Sequence, residues 1–132
     1  MTAIDTNVLV RLLTGDDPKQ AAAAKSLFAA ATVWIGKTVL LETEWVLRSV
    51  YGFEEAAIRE AFAKLLGLGN VHVEDETAVT AALEFMGHGL AFADALHLSS
   101  RPAGATFVSF DQVFIRSARR AGARSVSIVP PA

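Results

Sequence analysis

The chain contains no cysteine, which removes disulfides, thiolate zinc sites and thiol nucleophiles together. That fits a reducing compartment. No apolar run approaches the ~20 residues needed to cross a bilayer; the longest candidate, 27–36, is short and rich in alanine. The opening residues Met1-Thr2-Ala3-Ile4-Asp5 carry neither the basic flank nor the apolar stretch of a signal peptide. The expectation is a soluble, cytoplasmic protein. Proline and glycine are scattered, so linkers, repeats and low-complexity tracts are missing. An excess of positive charge is missing too. The net charge is −2 and the pI about 5.9, whereas a protein that grips nucleic acid through phosphate contacts alone is usually basic. Either nucleic acid is not the partner, or divalent cations help to offset phosphate charge.

What is present is apolar substance. At 132 residues and 52% hydrophobic content, the chain can form one domain over residues 1–132 around a core of its own. The surplus of alanine and leucine over charge also suggests that some apolar surface is buried against another chain.

Helical and strand-like patches alternate. Strands are expected at 3–4, 32–35, 71–73, 106–109 and 126–129. Helices are expected over 5–13, 19–31, 38–51, 54–66, 74–86, 90–100 and 111–121. Pro18 stands at a favourable first helical position, Thr38 is the expected cap of the third helix, and Gly52 and Gly122 are stops. Five short strands separated by helices predict an α/β fold, a parallel sheet with helices on both faces. Such sheets place their ligand sites beyond the carboxyl ends of the strands.

Asp5 follows the first strand directly, and Asp111 follows the fourth with only Phe110 between. Each stands at a helix start, where the plain alternative role is an N-cap; one oxygen can cap while the other faces a cation. Glu42 shares a face with Val39 and Val46, and Glu44 can be argued nearly as well from Leu40, Leu41 and Leu47. Asp94 lies in the apolar run Leu90-Ala91-Phe92-Ala93-Asp94-Ala95-Leu96, which reads as a helix buried on most sides. A carboxylate there is costly unless it is paired, caps the first turn or binds metal. Carboxylates converging on one edge either take up protons or hold a cation. An oxygen-only donor set points to Mg²⁺ or Mn²⁺, ions that activate water and clamp phosphate oxygens.

The segments Ile4-Asp5-Thr6-Asn7-Val8-Leu9-Val10, Leu41-Glu42-Thr43-Glu44-Trp45-Val46-Leu47-Arg48, Phe92-Ala93-Asp94-Ala95-Leu96-His97 and Phe107-Val108-Ser109-Phe110-Asp111 occur in order. They resemble PIN-domain nucleases, specifically the VapC toxins of prokaryotic toxin–antitoxin pairs, over residues 4–128. The resemblance implies a three-layer α/β/α domain with a parallel five-stranded sheet, and Mg²⁺- or Mn²⁺-dependent endoribonuclease activity. It matches Asp5, Glu42, Asp94 and Asp111 to the family's metal-binding acids, and so selects Glu42 over Glu44. Asn7 matches a polar residue after the first acid. Ser109 stands where the family often has threonine, keeping a hydroxyl two residues before the last acid. The resemblance further implies RNA as substrate, a homodimer, and a cognate antitoxin that blocks the acidic pocket.

Other residues have plainer readings. His97, one turn beyond Asp94, reads first as a packing residue, and Arg11 as a solvated charge. Trp45 and Phe92 are expected in the core, although exposed aromatics can stack bases. Arg116, Arg119 and Arg120 either complement a helix dipole, the preferred reading, or steer RNA. A haloacid-dehalogenase-type enzyme needs a second Asp two residues after the first, and that position is Asn7. A response-regulator receiver needs a lysine after the last strand, and none follows Ser125. A degenerate domain that only binds RNA or protein is the remaining alternative; the presence of all four acids argues against it.

Overall fold

The computed structural model describes residues 1–132, which divide into two compact units, Met1–Glu76 and Thr77–Ala132.

The first unit runs β1 (Thr2–Ala3), α1 (Thr6–Thr14), α2 (Pro18–Ala30), β2 (Val33–Ile35), α3 (Lys37–Ser49), α4 (Glu55–Leu66) and β3 (Val71–Val73). The three strands pair in parallel in chain order, with Thr2 opposite Val33 and Val33 opposite Val71. Parallel neighbours need a crossover, and here each crossover is a pair of helices. Val33 and Ile35 are wholly buried, as are Leu9, Leu40, Leu47, Ile58 and Phe62 from the helices. The apolar residues recurring at helical spacing thus face the strands. Asp17 caps α2 by accepting from the Gln20 amide at 3.1 Å, with Pro18 at the first turn. At the far end of α2, the Asn70 amide donates to the carbonyls of Phe28 (2.6 Å) and Ala31 (2.9 Å), tying the helix exit to the start of β3.

The second unit begins within the first turn of α5 (Glu76–Gly87) and continues with α6 (Phe92–Ser99), β4 (Phe107–Ser109), α7 (Gln112–Arg120) and β5 (Val126–Ile128). β4 and β5 are parallel, with Phe107 opposite Val126 and Ser109 opposite Ile128. Helix α7 connects them and buries Phe114, Ile115 and Ala118. The Phe114 ring meets Phe107 edge-on at 5.7 Å.

The α/β class and the parallel strands are those expected from the alternation of patterns. The pairing differs in detail: the five strands form ladders of three and two, not one continuous ladder. None exceeds three residues, so each pairing rests on very few hydrogen bonds.

Helix starts also differ. α3 begins at Lys37 after Gly36, not at a Thr38 cap, and Gly36 supplies no side-chain cap. The capping oxygen comes from across the unit, where Glu74 Oε1 accepts from the Lys37 amide at 2.9 Å. Asp75 takes a left-handed backbone (φ 53°), so α5 starts at Glu76 and not at 74. Leu90 closes the preceding turn by donating its amide to the Phe85 carbonyl, so α6 starts at Phe92 and not at 90.

Candidate active site

In the first unit, β1 ends just before Asp5, whose backbone is extended while the next residue is helical. Asp5 Oδ1 accepts from the Val8 amide at 3.2 Å and caps α1. This arrangement is worth about 1 kcal/mol in typical helices. It occupies one carboxylate oxygen and leaves Oδ2 uncommitted. The next residue, Thr6, donates its hydroxyl to Glu42 Oε1 in a short hydrogen bond. Glu42 belongs to α3, 36 positions away. A single threonine therefore links the helix that Asp5 caps to the helix that carries Glu42.

Glu42 is exposed; it shares a face of α3 with Val39 and Val46, as its spacing implies, but that face is only partly covered, and the core side is the one that carries Leu40, Thr43 and Leu47. Glu44 takes the buried place, 5% exposed. Arg48, one turn on, donates Nε to both Glu44 oxygens at 3.1 and 3.2 Å. The buried member of the pair is therefore a salt-bridged structural group, and the free carboxylate is Glu42.

Asp5 and Asn7 also form one end of a cleft of about 390 Å³ between α1 and α2. Val8, Ala24 and Leu27 supply its apolar wall, and Arg11 lies at its far end. Arg11 is not a solvated charge. It donates to Asp16 Oδ1 at 2.7 Å, to Gln20 Oε1 at 2.8 Å and to the Tyr51 hydroxyl at 3.2 Å. Tyr51 in turn donates to Asp16 Oδ2 at 2.5 Å. The Tyr51 hydroxyl bond, with the Arg11 charge behind it, holds the Asp16 carboxyl below its ordinary value.

In the second unit, Asp111 is the N-cap of α7, with Oδ1 accepting from the Phe114 amide at 3.0 Å. Its own amide donates to Ser109 Oγ at 3.0 Å, so the hydroxyl two residues upstream fixes the turn that presents the acid. Asp94 lies in the first turn of α6 and is exposed, as is His97. The helix buries Phe92, Ala95, Leu96 and Leu98. It is thus one-sided, not apolar all round, and the expected burial of Asp94 is corrected. Phe92 is core, as expected, but Trp45 is 54% exposed and Phe110, beside Asp111, is 82% exposed.

The four acids therefore share one design. Each stands at or near a helix start or on an open helix face, and all four are exposed. Asp5 and Asp111 each use one oxygen as a cap. Oxygen-only donors of this kind suit a hard divalent ion. Thr6, the residue after Asp5, hydrogen-bonds Glu42 and so ties the helix that Asp5 caps to the helix that carries Glu42. No group of three or more His, Cys, Asp or Glu side chains is placed to hold a metal ion; Asp5 and Glu42 belong to the first unit, Asp94 and Asp111 to the second. No helix is long and apolar enough to cross a membrane.

The profile of the family described as PIN domain matches residues 2–120. The chain belongs to the PIN-domain family. The match takes in Asp5, Glu42, Asp94 and Asp111, and it crosses the boundary between the two units. PIN domains are in general metal-dependent nucleases. No curated protein matches this PIN domain.

Proposed function

We propose that this PIN domain is a Mg²⁺- or Mn²⁺-dependent endoribonuclease and the toxin of a VapBC-type toxin–antitoxin pair. The observation that carries the reading is the link Asp5–Thr6–Glu42. It ties the helix capped by Asp5 to the helix carrying Glu42, and each of these acids keeps an oxygen outside those hydrogen bonds, which supports the reading. Asp5, Glu42, Asp94 and Asp111 are the residues that would hold the ion. When bound, such an ion offsets phosphate charge and lowers the pKa of water to make a nucleophile.

The chain's own groups have three tasks. The caps on α1 and α7 fix Asp5 and Asp111 in orientation before substrate arrives. Thr6 holds the Glu42 carboxylate, and Ser109 holds the turn before Asp111. A free carboxylate oxygen accepts the proton of the attacking water as its oxygen bonds to phosphorus in line. The bond from phosphorus to the 3′-oxygen breaks, and that oxygen takes a proton from solvent water, giving 3′-hydroxyl and 5′-phosphate ends.

In this reading the partners are RNA, a cognate antitoxin and a second copy of the chain, and the cytoplasm is the place of action. Exposed apolar side chains such as Trp45, Val50, Phe110 and Val113 supply surface for protein contacts. The second reading is a catalytically weak PIN domain that binds RNA or protein. The deciding experiment incubates wild type and Asp5→Asn with single-stranded RNA in Mg²⁺, Mn²⁺ or EDTA. Cleavage by wild type alone, abolished by EDTA, supports the nuclease. Absence of cleavage with either metal supports the binding module.

A further inference from the structure

After Asp111 the only charged side chains are four arginines, Arg116, Arg119, Arg120 and Arg124, with no acid and no lysine among them. The rest of the chain is acidic enough to leave the whole at −2. Positive charge of one kind is thus concentrated in the last segment of the second unit.

The arginines divide by what they touch. Arg119 donates Nη2 and Nε to the Val126 carbonyl at 2.9 and 3.3 Å. Arg101 donates to the carbonyls of Ser125 (3.0 Å) and Arg124 (2.7 Å). These two guanidinium groups clamp the carbonyls of three consecutive residues. They hold a loop in which Ser125 takes a left-handed backbone (φ 53°), a conformation that is rare outside glycine. The backbone of Arg124 is thereby fixed while its side chain is exposed. Arg116 and Arg120 occupy the outer face of α7, opposite Phe114, Ile115 and Ala118, and lie one turn apart, with ~6 Å between their Cβ atoms. None of the three bonds to a carboxylate.

A helix-dipole role covers only cations in the last turn. It accounts for Arg119 and Arg120, but not for Arg116 in the middle of α7 or for Arg124 beyond its end. Guanidinium also matches phosphate bidentately in a way that ammonium does not. We infer that Arg116, Arg120 and Arg124 form a docking strip for the phosphodiester backbone of single-stranded RNA.

The choice of RNA rests on the nuclease reading. The choice of a single strand rests on a cleft of about 360 Å³ bordered by Arg124 and Ser125 and walled by Phe85 and Leu98. Only an unpaired base can leave its stack to enter such a cleft.

The test measures fluorescence anisotropy of a labelled single-stranded RNA with full-length protein in EDTA, across a salt series. Wild type is compared with the triple variant Arg116→Ala/Arg120→Ala/Arg124→Ala and with the corresponding triple lysine variant. Loss of three phosphate contacts lowers the slope of log affinity against log salt by about 2. Affinity at low salt falls at least tenfold, and the lysine variant keeps most of the slope. An unchanged slope and affinity in the alanine variant would overturn the inference. So would equal binding of duplex RNA, or of polyglutamate matched in charge, which marks an acidic-protein surface instead. If the triple variant does not fold, the single variants Arg116→Gln and Arg124→Gln are each expected to lower the slope by ~0.7, and no change in either is equally fatal. Cleavage is scored separately. Wild type that cuts RNA with a KM matching that of the triple variant defeats the strip and keeps the nuclease. Wild type that binds through the strip but never cuts does the reverse.

Discussion

The two units handle charge in opposite ways. Residues 1–76 hold eleven acidic and seven basic side chains, net −4, and residues 77–132 hold three acidic and five basic, net +2. In the first unit cations are matched to carboxylates: Arg11 to Asp16, Lys37 to Asp75, Arg48 to Glu44 and Lys64 to Glu60. In the second every basic side chain apart from histidine is arginine, and Arg101 and Arg119 turn to backbone carbonyls instead. The lesson is that the overall charge of −2 is a poor guide to partners. It averages a unit in which four of the seven cations pair with carboxylates and one in which no arginine does.

The largest expected effect separates wiring from chemistry within the acids. Asparagine caps a helix about as well as aspartate. Asp5→Asn and Asp111→Asn should therefore leave thermal stability nearly unchanged while lowering RNA cleavage by about 10²–10⁴-fold. Melting curves and cleavage rates on the same samples check this. Cleavage that stays unchanged along with stability would mean that these aspartates are caps and nothing more.

The next effect contrasts one arginine from each unit. Arg48→Ala leaves the buried Glu44 carboxylate, 5% exposed, without its guanidinium. Stranding a buried group costs about 1–3 kcal/mol, and partial exposure of Arg48 places the result toward the lower end. Arg116→Ala strands nothing and should change stability by less than ~0.5 kcal/mol. Urea titrations of both variants measure the difference. A larger loss from Arg116→Ala would dissolve the contrast between the units.

Much of this was legible in the sequence. The alternation of apolar patches located every strand to within a residue or two, and Asp5 and Asp111 each cap the helix that they precede. What failed had long-range causes. Glu74 caps α3 from 37 residues away, and no local pattern reveals it. Glu42 and Glu44 have equally apolar helical neighbours, and only the presence of Arg48 one turn after Glu44 hinted which was paired. The alanines around Asp94 carry no directional signal: in this short helix with one packed side, Ala95 is buried and Ala91 exposed. The hydrophobicity of Trp45 fixes how much surface it offers and not which way it points, and it points outward.

A smaller effect probes the first unit's wiring through pH. Because the Tyr51 hydroxyl and Arg11 hold Asp16 below its ordinary value of 3.8, folding favours the ionised form. The resulting stability is fully present above that value and is lost as pH falls through the lower, folded one. Tyr51→Phe should therefore reduce stability at pH 7, and its deficit relative to wild type should shrink on acidification below about 3.8. A deficit that stays constant with pH would assign Tyr51 a packing role through its edge-on contact with Phe53 instead.

The smallest effect concerns the exception to that wiring. Thr43 lies between Glu42 and Glu44 on α3, is wholly buried, and its hydroxyl has no hydrogen-bond partner. An unmet buried donor costs free energy that an apolar group of the same shape does not. Valine has that shape and a similar helix propensity. Thr43→Val is accordingly expected to raise stability slightly, by up to ~1 kcal/mol, without altering cleavage, because the side chain points away from the face that carries Glu42. A fall in stability would show that the hydroxyl has a partner in solution. A fall in cleavage at unchanged stability would extend the candidate site into the core beneath Glu42.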